Sequence, residues 1–255
     1  MTSGPSEETS GGYGGGEAPP YYLLDIEGTT TPVSFVHDDL YAYARARLDS
    51  YLRAHWDDAD VSRVVSDLER EHRADVNDAP PWRDSDPAHL CASAVSYLEW
   101  LMDRDRKSPA LKTIQGWIWD AGYDASELRG QVWPDVPEAF QRWTAGGRRV
   151  AIYSSGSELA QRRLFQSTIY GDLTPMITAF FDTSMGPKRS SESYRRIAEQ
   201  LGGNPRRIVF VSDVAAELVA ARDAGMYVVL AVRPGNAPQE GMEQFRTITS
   251  FDDLK

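Results

Sequence analysis

The segment YYLLDIEGT, residues 21–29, decides the fold. Its first four residues, Tyr21 to Leu24, form a short aromatic-rich apolar run bounded by proline and glycine, which is typical of a buried strand. Asp25 follows this run directly. The pattern therefore predicts a β-strand at residues 21–24 with a carboxylate at its carboxyl end.

The second half of the chain alternates between strand-like and helical patterns. We predict strands at 149–154, 178–182, 207–211 and 226–232, and helices at 137–144, 158–166, 191–201 and 215–224. Strands and helices that alternate through short connections are typical of a parallel sheet with right-handed crossovers. The predicted fold class is therefore α/β, with a Rossmann-like parallel-sheet core that includes the first strand.

Apolar residues recur with helical spacing between the first strand and residue 130. They predict helices at about 37–55, 60–73, 88–102 and 109–119. The predicted domains are an α/β catalytic core of residues 20–36 and 131–255, and an all-helical cap of residues 37–130 inserted into it. Residues 1–19 are rich in Gly, Ser, Pro and Glu, which predicts a disordered tail.

Composition and charge narrow the classes of function. The chain has 255 residues, 41% of them hydrophobic, and a formal net charge of -11. An acidic surface repels nucleic acid, and no apolar run approaches the roughly 20 residues that span a bilayer. The single cysteine, Cys91, can form no internal disulfide and is expected to be buried. We expect a cytoplasmic protein without nucleic-acid or membrane partners.

Polar side chains occur where the predicted strands end or shortly after. They are Asp25, Glu27, Ser154, Ser155, Lys188 and Asp213. In an open α/β sheet, ligands bind beyond the carboxyl ends of the strands. Each residue also has a structural alternative, a helix cap for the serines and for Asp213 and a solvated charge for Lys188. Their ordered combination at successive strand ends favours one functional site.

This combination suits phosphoryl transfer. Asp25 can attack phosphorus and form an aspartyl-phosphate. Asp25 and Asp213 offer hard oxygen ligands for Mg²⁺. Ser154 can donate its hydroxyl to a phosphoryl oxygen, and Lys188 can neutralise further charge. Because all four histidines precede residue 90, a Ser-His-Asp triad and a His-rich metal site are disfavoured.

Other residues give weaker indications of function. Glu217, one helical turn after Asp213, is predicted either to support a metal-bound water or to lie on a solvated helix face. Asp182 is assigned a structural role, and Gly28 and Gly156 are expected to allow close approach of the backbone to a phosphate. Four tryptophans are expected mostly in the core, with a few covering the site: Trp82, Trp100, Trp117 and Trp119.

Five motifs carry a family resemblance. They are DIEGTTTP at 25–32, YSSGS at 153–157, FDT at 181–183, SESY at 191–194 and VRPGN at 232–236. The chain resembles the haloacid dehalogenase-like phosphohydrolases, and more closely the enolase-phosphatase E1 family of methionine salvage. Within the predicted cap, DRK at 105–107, LK at 111–112 and QG at 115–116 are similar to the same family. The resemblance covers the chain from Tyr21 onward.

The resemblance implies a magnesium site of Asp25, Glu27 and Asp213, with Glu27 contributing either its side chain or its backbone carbonyl. It implies substrate contacts from Ser154 and Ser155 and a phosphate contact from Lys188. The implied activity is enolisation and then dephosphorylation of 2,3-diketo-5-methylthiopentyl-1-phosphate to an acireductone. Glu27 is one candidate for moving the proton, and a monomer is favoured.

One residue departs from the family pattern. Pro187 stands before Lys188 where many relatives are expected to carry histidine, although the lysine itself is present. Two alternatives to the bifunctional enzyme stay open. One is a generic small-metabolite or sugar-phosphate phosphatase that differs in its cap, and the other is a non-catalytic protein that binds a phosphorylated metabolite.

Overall fold

The computed structural model describes residues 21–75 and 78–254, so the tail predicted at 1–19 lies outside the described residues. Six strands form one sheet in the order β3-β2-β1-β4-β5-β6, and their pairings are parallel. The strands are β1 (Tyr21–Leu24), β2 (Arg149–Tyr153), β3 (Ile177–Phe181), β4 (Ile208–Ser212), β5 (Tyr227–Ala231) and β6 (Thr247–Ile248). The predicted parallel sheet is confirmed, and β6, of two residues, is an addition to it.

Helices separate the strands. Four lie between β1 and residue 130: α1 (Ala42–Ala54), α2 (Ala59–Ala74), α3 (Pro87–Asp103) and α4 (Pro109–Asp124). The others are α5 (Asp135–Ala145), α6 (Glu158–Gln166), α7 (Ser191–Gln200) and α8 (Ala215–Asp223). The helix predicted at 37–55 is divided, because residues Phe35–Tyr41 form a π-helix before α1 begins. No helix in the described part of the chain is long and apolar enough to cross a membrane.

The central strand is buried on both faces, which explains its continuous apolar run. On one face, Tyr22 stacks on Trp143 of α5 with ring centroids 4.0 Å apart. On the other face, Leu23 packs in a cluster that includes Tyr194 of α7. A separate apolar cluster holds α1 to α4 together, and Cys91 lies buried within it.

The register of the sheet brings the predicted site residues to one level. Leu24 of β1 pairs with Ile152 of β2 and with Val211 of β4. Because the three strands are parallel and end together, the residues that follow them meet at the same edge. Asp25, Ser154 and Asp213 are those following residues.

A buried arginine fastens the loop that follows β1. Arg233 donates from Nε to the Thr29 carbonyl at 3.1 Å, from Nη1 to the Thr249 carbonyl at 2.8 Å and from Nη2 to Asp135 at 2.8 Å. Trp133 adds a backbone N–H bond to the Thr30 carbonyl at 3.0 Å. These contacts tie the loop to α5 and to the chain after β6, so its shape is held independently of any ligand.

Candidate active site

Asp25 lies at the carboxyl end of the central strand, and its backbone N–H donates to the Val211 carbonyl at 3.0 Å. The residue is only 5% exposed. Its Oδ1 accepts from the Ile26 N–H at 2.8 Å, and its Oδ2 lies 3.4 Å from Ser212 Oγ. The carboxylate is therefore both buried and held in one orientation.

The side chain of Lys188 contacts Asp25. Its Nζ lies 2.6 Å from Asp25 Oδ1 and 2.7 Å from Glu217 Oε2. Burial by itself lowers the pKa of Lys188, but the charges of Asp25 and Glu217 outweigh burial and raise the pKa above its usual range. The ammonium group therefore stays charged at the centre of the site.

The segment that carries Lys188 is held by three hydroxyl groups. The successive carbonyls of residues 186–188 accept hydrogen bonds from Tyr153 at 2.9 Å, Ser193 at 2.8 Å and Tyr194 at 2.8 Å. Pro187 lies in the middle of this segment and has no N–H to place. The lysine position is thus defined by backbone contacts that do not depend on the side chain at 187.

Glu217 does not lie on a solvated helix face, so that alternative was wrong. It is 9% exposed, and its Oε2 contacts Ser212 Oγ at 3.1 Å as well as Lys188. Its position in the first turn of α8 brings its carboxylate close to the strand ends. Glu217 therefore shares the lysine with Asp25.

Asp213 follows β4 and packs against the loop after β1. It does not cap α8, because Val214 occupies the cap position and makes no side-chain cap bond. Gly28 has a φ of 68°, and a Cβ there would collide with the carboxylate of Asp213. Glycine is therefore required at 28 for the carboxylate to approach. Gly156, by contrast, has room for a Cβ among the described residues and no left-handed φ, so its expected close approach to a phosphate stays a prediction.

The Glu27 side chain contacts the π-helix that follows β1. Its Oε1 lies 2.8 Å from Nε2 of His37, which belongs to the π-helix. Burial raises the pKa of Glu27 despite this contact. In residues 21–75 and 78–254, no three acidic, histidine or cysteine side chains converge closely enough to hold a metal by themselves. The structure therefore does not gather the predicted metal ligands as three side chains.

The serine loop after β2 faces α4. Ser154 donates its backbone N–H to the Phe181 carbonyl at 3.1 Å, and its Oγ accepts from the Gly156 N–H at 3.3 Å. Lys112 Nζ of α4 donates to the Ser155 carbonyl at 3.1 Å. The helix cap of α6 is Ser157 rather than either of these serines. Ser154 and Ser155 are therefore not needed for capping.

One cleft joins the serine loop to the helices between β1 and β2. Its polar end holds Glu27, Lys112, Ser154 and Ser155. Its other walls are mainly apolar or aromatic and include Val36, Leu40, Tyr41, Trp119, Tyr123 and Leu164. Trp119 is fixed there by a bond from Nε1 to the Leu40 carbonyl at 2.8 Å. Of the four tryptophans, Trp100 lies in the helical core and Trp119 lines the cleft.

Comparisons with known proteins identify the family of this chain. A family model described as haloacid dehalogenase-like hydrolase matches residues 21–225. Enolase-phosphatase E1 of Synechococcus elongatus is 47% identical over 233 residues, which is 91% of this chain and 96% of that protein. The chain belongs to the enolase-phosphatase E1 family of haloacid dehalogenase-like hydrolases. The family resemblance seen in the sequence, and with it the assignment to the phosphatases, is confirmed.

Two further proteins that are similar to this member of the enolase-phosphatase family extend the comparison. A Vitis vinifera protein described as a probable bifunctional methylthioribulose-1-phosphate dehydratase/enolase-phosphatase E1 is 44% identical over 240 residues, 91% of this chain and 46% of that protein. The crystal structure of the UTR4 protein from Saccharomyces cerevisiae matches with a TM-score of 0.73 and 31% identity. It covers 92% of this chain and 100% of that one.

Enolase-phosphatases are generally metal-dependent, and the donors of this family member fit a hard cation. Asp25 and Glu217 contact Lys188, and Asp213 interacts electrostatically with all three groups, so negative charge exceeds positive charge. Burial first, and then Asp25 and Glu217, raise the pKa of Asp213 to about 7. A carboxylate that resists ionisation this strongly marks a place where a further positive charge is stabilising.

The stability of the metal-free enolase-phosphatase chain should depend on these acids. The pKa of Asp213 rises from 3.8, and that of Glu217 from 4.5, to about 7 in each case. A carboxyl with a raised pKa binds its proton more tightly in the folded state, so stability is lost as the proton leaves. We expect the free energy of unfolding in urea to fall as pH rises from about 4 to about 7.

A matched variant isolates this effect. Asp213→Asn removes one of the two titrating groups, so its unfolding free energy should fall less steeply over the same pH window. Saturating Mg²⁺ should also flatten the wild-type curve, because a bound cation favours the ionised carboxylates. Identical slopes for the wild type and Asp213→Asn, both without metal, would contradict the assignment of the slope to this group.

Proposed function

We propose that the chain is a magnesium-dependent enolase-phosphatase that converts 2,3-diketo-5-methylthiopentyl-1-phosphate to an acireductone and phosphate in methionine salvage. The observation that carries the proposal is the buried Asp25 carboxylate in contact with Lys188 at the end of the central strand. Family membership supports the same activity. We further propose that it acts as a cytoplasmic monomer.

In the phosphatase step, an oxygen of Asp25 attacks phosphorus while the ester bond to the substrate breaks. Water then cleaves the aspartyl-phosphate and releases inorganic phosphate. Lys188 neutralises charge on the transferring group, and Ser154 and Ser155 hold the phosphoryl oxygens. Magnesium, held by Asp25, Asp213 and the backbone carbonyl of Glu27, would supply positive charge to the same oxygens.

In the enolisation step, Glu27 is our candidate for the group that removes the proton beside the carbonyl. It lies in the wall of the cleft, two residues after Asp25. Its bond to His37 orients the carboxylate, and burial raises its pKa, which suits a general base. The enolate charge that develops would be stabilised by the same positive groups that bind the phosphate.

The shape of the cleft supports a substrate with two unlike ends. A phosphate suits the serine loop, whereas a methylthio chain suits walls such as Leu40, Trp119 and Leu164. Four of the apolar or aromatic walls, Leu40, Tyr41, Trp119 and Tyr123, come from residues 37–130, which we propose act as the cap that sets specificity. Exchanging this segment for a cap of another specificity should therefore change substrate preference.

The proposed function is tested by adding the diketone phosphate and Mg²⁺ to the purified protein. Enol absorbance and released phosphate are followed together, and a chelator serves as the control. We expect the enol signal to appear first and phosphate to follow. Release of phosphate from sugar phosphates with equal kcat/KM and no enol signal would favour the generic phosphatase. Binding without phosphate release would favour the non-catalytic alternative.

A further inference from the structure

The side-chain amide of Asn236 lies between the loop after β1 and the end of β5. Its Nδ2 donates to the Gly28 carbonyl at 2.9 Å and to the Ala231 carbonyl at 3.3 Å. A carbonyl oxygen only accepts hydrogen bonds, so the amide must face both partners with its nitrogen. The Oδ1 atom of Asn236 is therefore an acceptor that points away from these two carbonyls.

Asn236 Oδ1 is buried, and no donor among the described residues lies within hydrogen-bond distance of it. Buried acceptors in native proteins are nearly always paired, and an exception points to a water or an ion as the partner. The position of Asn236 Oδ1 can be described relative to Gly28. A Cβ added to Gly28 would lie 3.1 Å from Asn236 Oδ1 and would also collide with the Asp213 carboxylate.

Asn236 Oδ1 and the Asp213 carboxylate thus both lie next to the α-carbon of Gly28. Gly28 itself is three residues after Asp25, the nucleophile proposed above. We propose that Asn236 Oδ1 is a further oxygen of the magnesium site, which accepts a hydrogen bond from a water that the cation retains. Mg²⁺ in proteins usually keeps several waters beside one or two carboxylates, and such waters need acceptors. This inference rests on the proposed function, which places magnesium against Asp25 and Asp213.

The chemistry of the amide explains why asparagine suits this position better than aspartate. A carboxylate at 236 would add another negative charge to a site that already holds Asp25, Asp213 and Glu217. It would also lose the Nδ2 donor that fastens the Gly28 carbonyl. The neutral Asn236 side chain therefore holds the loop after β1 through its Nδ2, and its Oδ1 accepts the hydrogen bond from the metal-bound water.

Two substitutions separate these roles. Asn236→Ala removes both the donor and the acceptor, whereas Asn236→Asp keeps an acceptor and loses the donor. The Mg²⁺ dissociation constant of the metal-free protein is measured by calorimetry, and the melting temperature is measured without metal. Asn204→Ala, at the turn before β4, is the matched control because Asn204 only caps that turn.

We expect Asn236→Ala to weaken Mg²⁺ binding about tenfold or more. Asn236→Asp should bind Mg²⁺ at least as tightly as the wild type, and both variants should melt at lower temperature without metal, because both lose the bond to Gly28. Asn204→Ala should leave the Mg²⁺ dissociation constant unchanged. Weaker Mg²⁺ binding in Asn236→Ala, together with undiminished binding in Asn236→Asp, would indicate that the side-chain oxygen interacts with the hydrated cation.

Equal Mg²⁺ affinity for Asn236→Ala and the wild type would overturn the inference. Equal weakening in Asn236→Ala and Asn236→Asp would also overturn it, because the loop bond alone would then explain the loss. If Asn236→Ala does not fold, an Asn236→Asp protein that binds Mg²⁺ more weakly than the wild type would overturn the inference by itself. A wild-type protein that binds no Mg²⁺ would overturn both this inference and the proposed magnesium dependence.

Discussion

Replacement of Asp25 by asparagine is expected to lower the rate of phosphate release by at least about 10⁴-fold, because an amide cannot form the aspartyl-phosphate. The measurement is a single-turnover assay of phosphate with Mg²⁺ present. The fold should survive, since asparagine has the same shape and Lys188 keeps Glu217 as a partner 2.7 Å away. A melting temperature close to that of the wild type would show that the loss is chemical.

The matched control for Asp25→Asn is Asp182→Asn. Asp182 also follows a strand, but its Oδ1 accepts from the Ser184 N–H at 2.8 Å and caps a short turn. That contact agrees with the structural role expected from the sequence, and the variant should keep nearly full phosphatase activity. Wild-type activity in Asp25→Asn would exclude Asp25 as the nucleophile.

The sequence predicts Asp25, Ser154 and Asp213 at one edge because this needs only strand direction and strand ends. Parallel strands that end at the same level bring their following residues together, whatever lies between them. The bounds of the predicted strands differ from the observed ones by no more than one residue. Only β6, with two residues, is too short to leave a periodic signal.

The contacts of His37, Glu217 and Arg233 could not be predicted in the same way. The bond between His37 and Glu27 depends on the π-helix, which shifts the side chains relative to an α-helical pattern. Two partners of Arg233 are backbone carbonyls, which carry no residue-type signal. Glu217 offered a weak signal, since its spacing of four from Asp213 places both near the same strand end.

Substitution of Lys188 by methionine is expected to lower both activity and stability. Lys188 is the partner of two buried carboxylates, and removing one member of a buried ion pair typically costs about 3–5 kcal/mol. Loss of the positive charge from the transferring phosphoryl group should lower kcat by roughly 10²–10³-fold. Urea unfolding and phosphate release are measured at about pH 8, where Asp213 and Glu217 of the wild type, whose pKa values are raised to about 7, are ionised.

The double variant Lys188→Met with Glu217→Gln separates the two losses. Removing the second buried charge relieves the repulsion between Glu217 and Asp25 that the lysine had balanced, so part of the stability should return. Phosphate release should stay low, because no cation replaces the ammonium beside Asp25. If activity returned together with stability, the role of Lys188 would be structural, and the charge on the phosphoryl group would have to be neutralised by other groups.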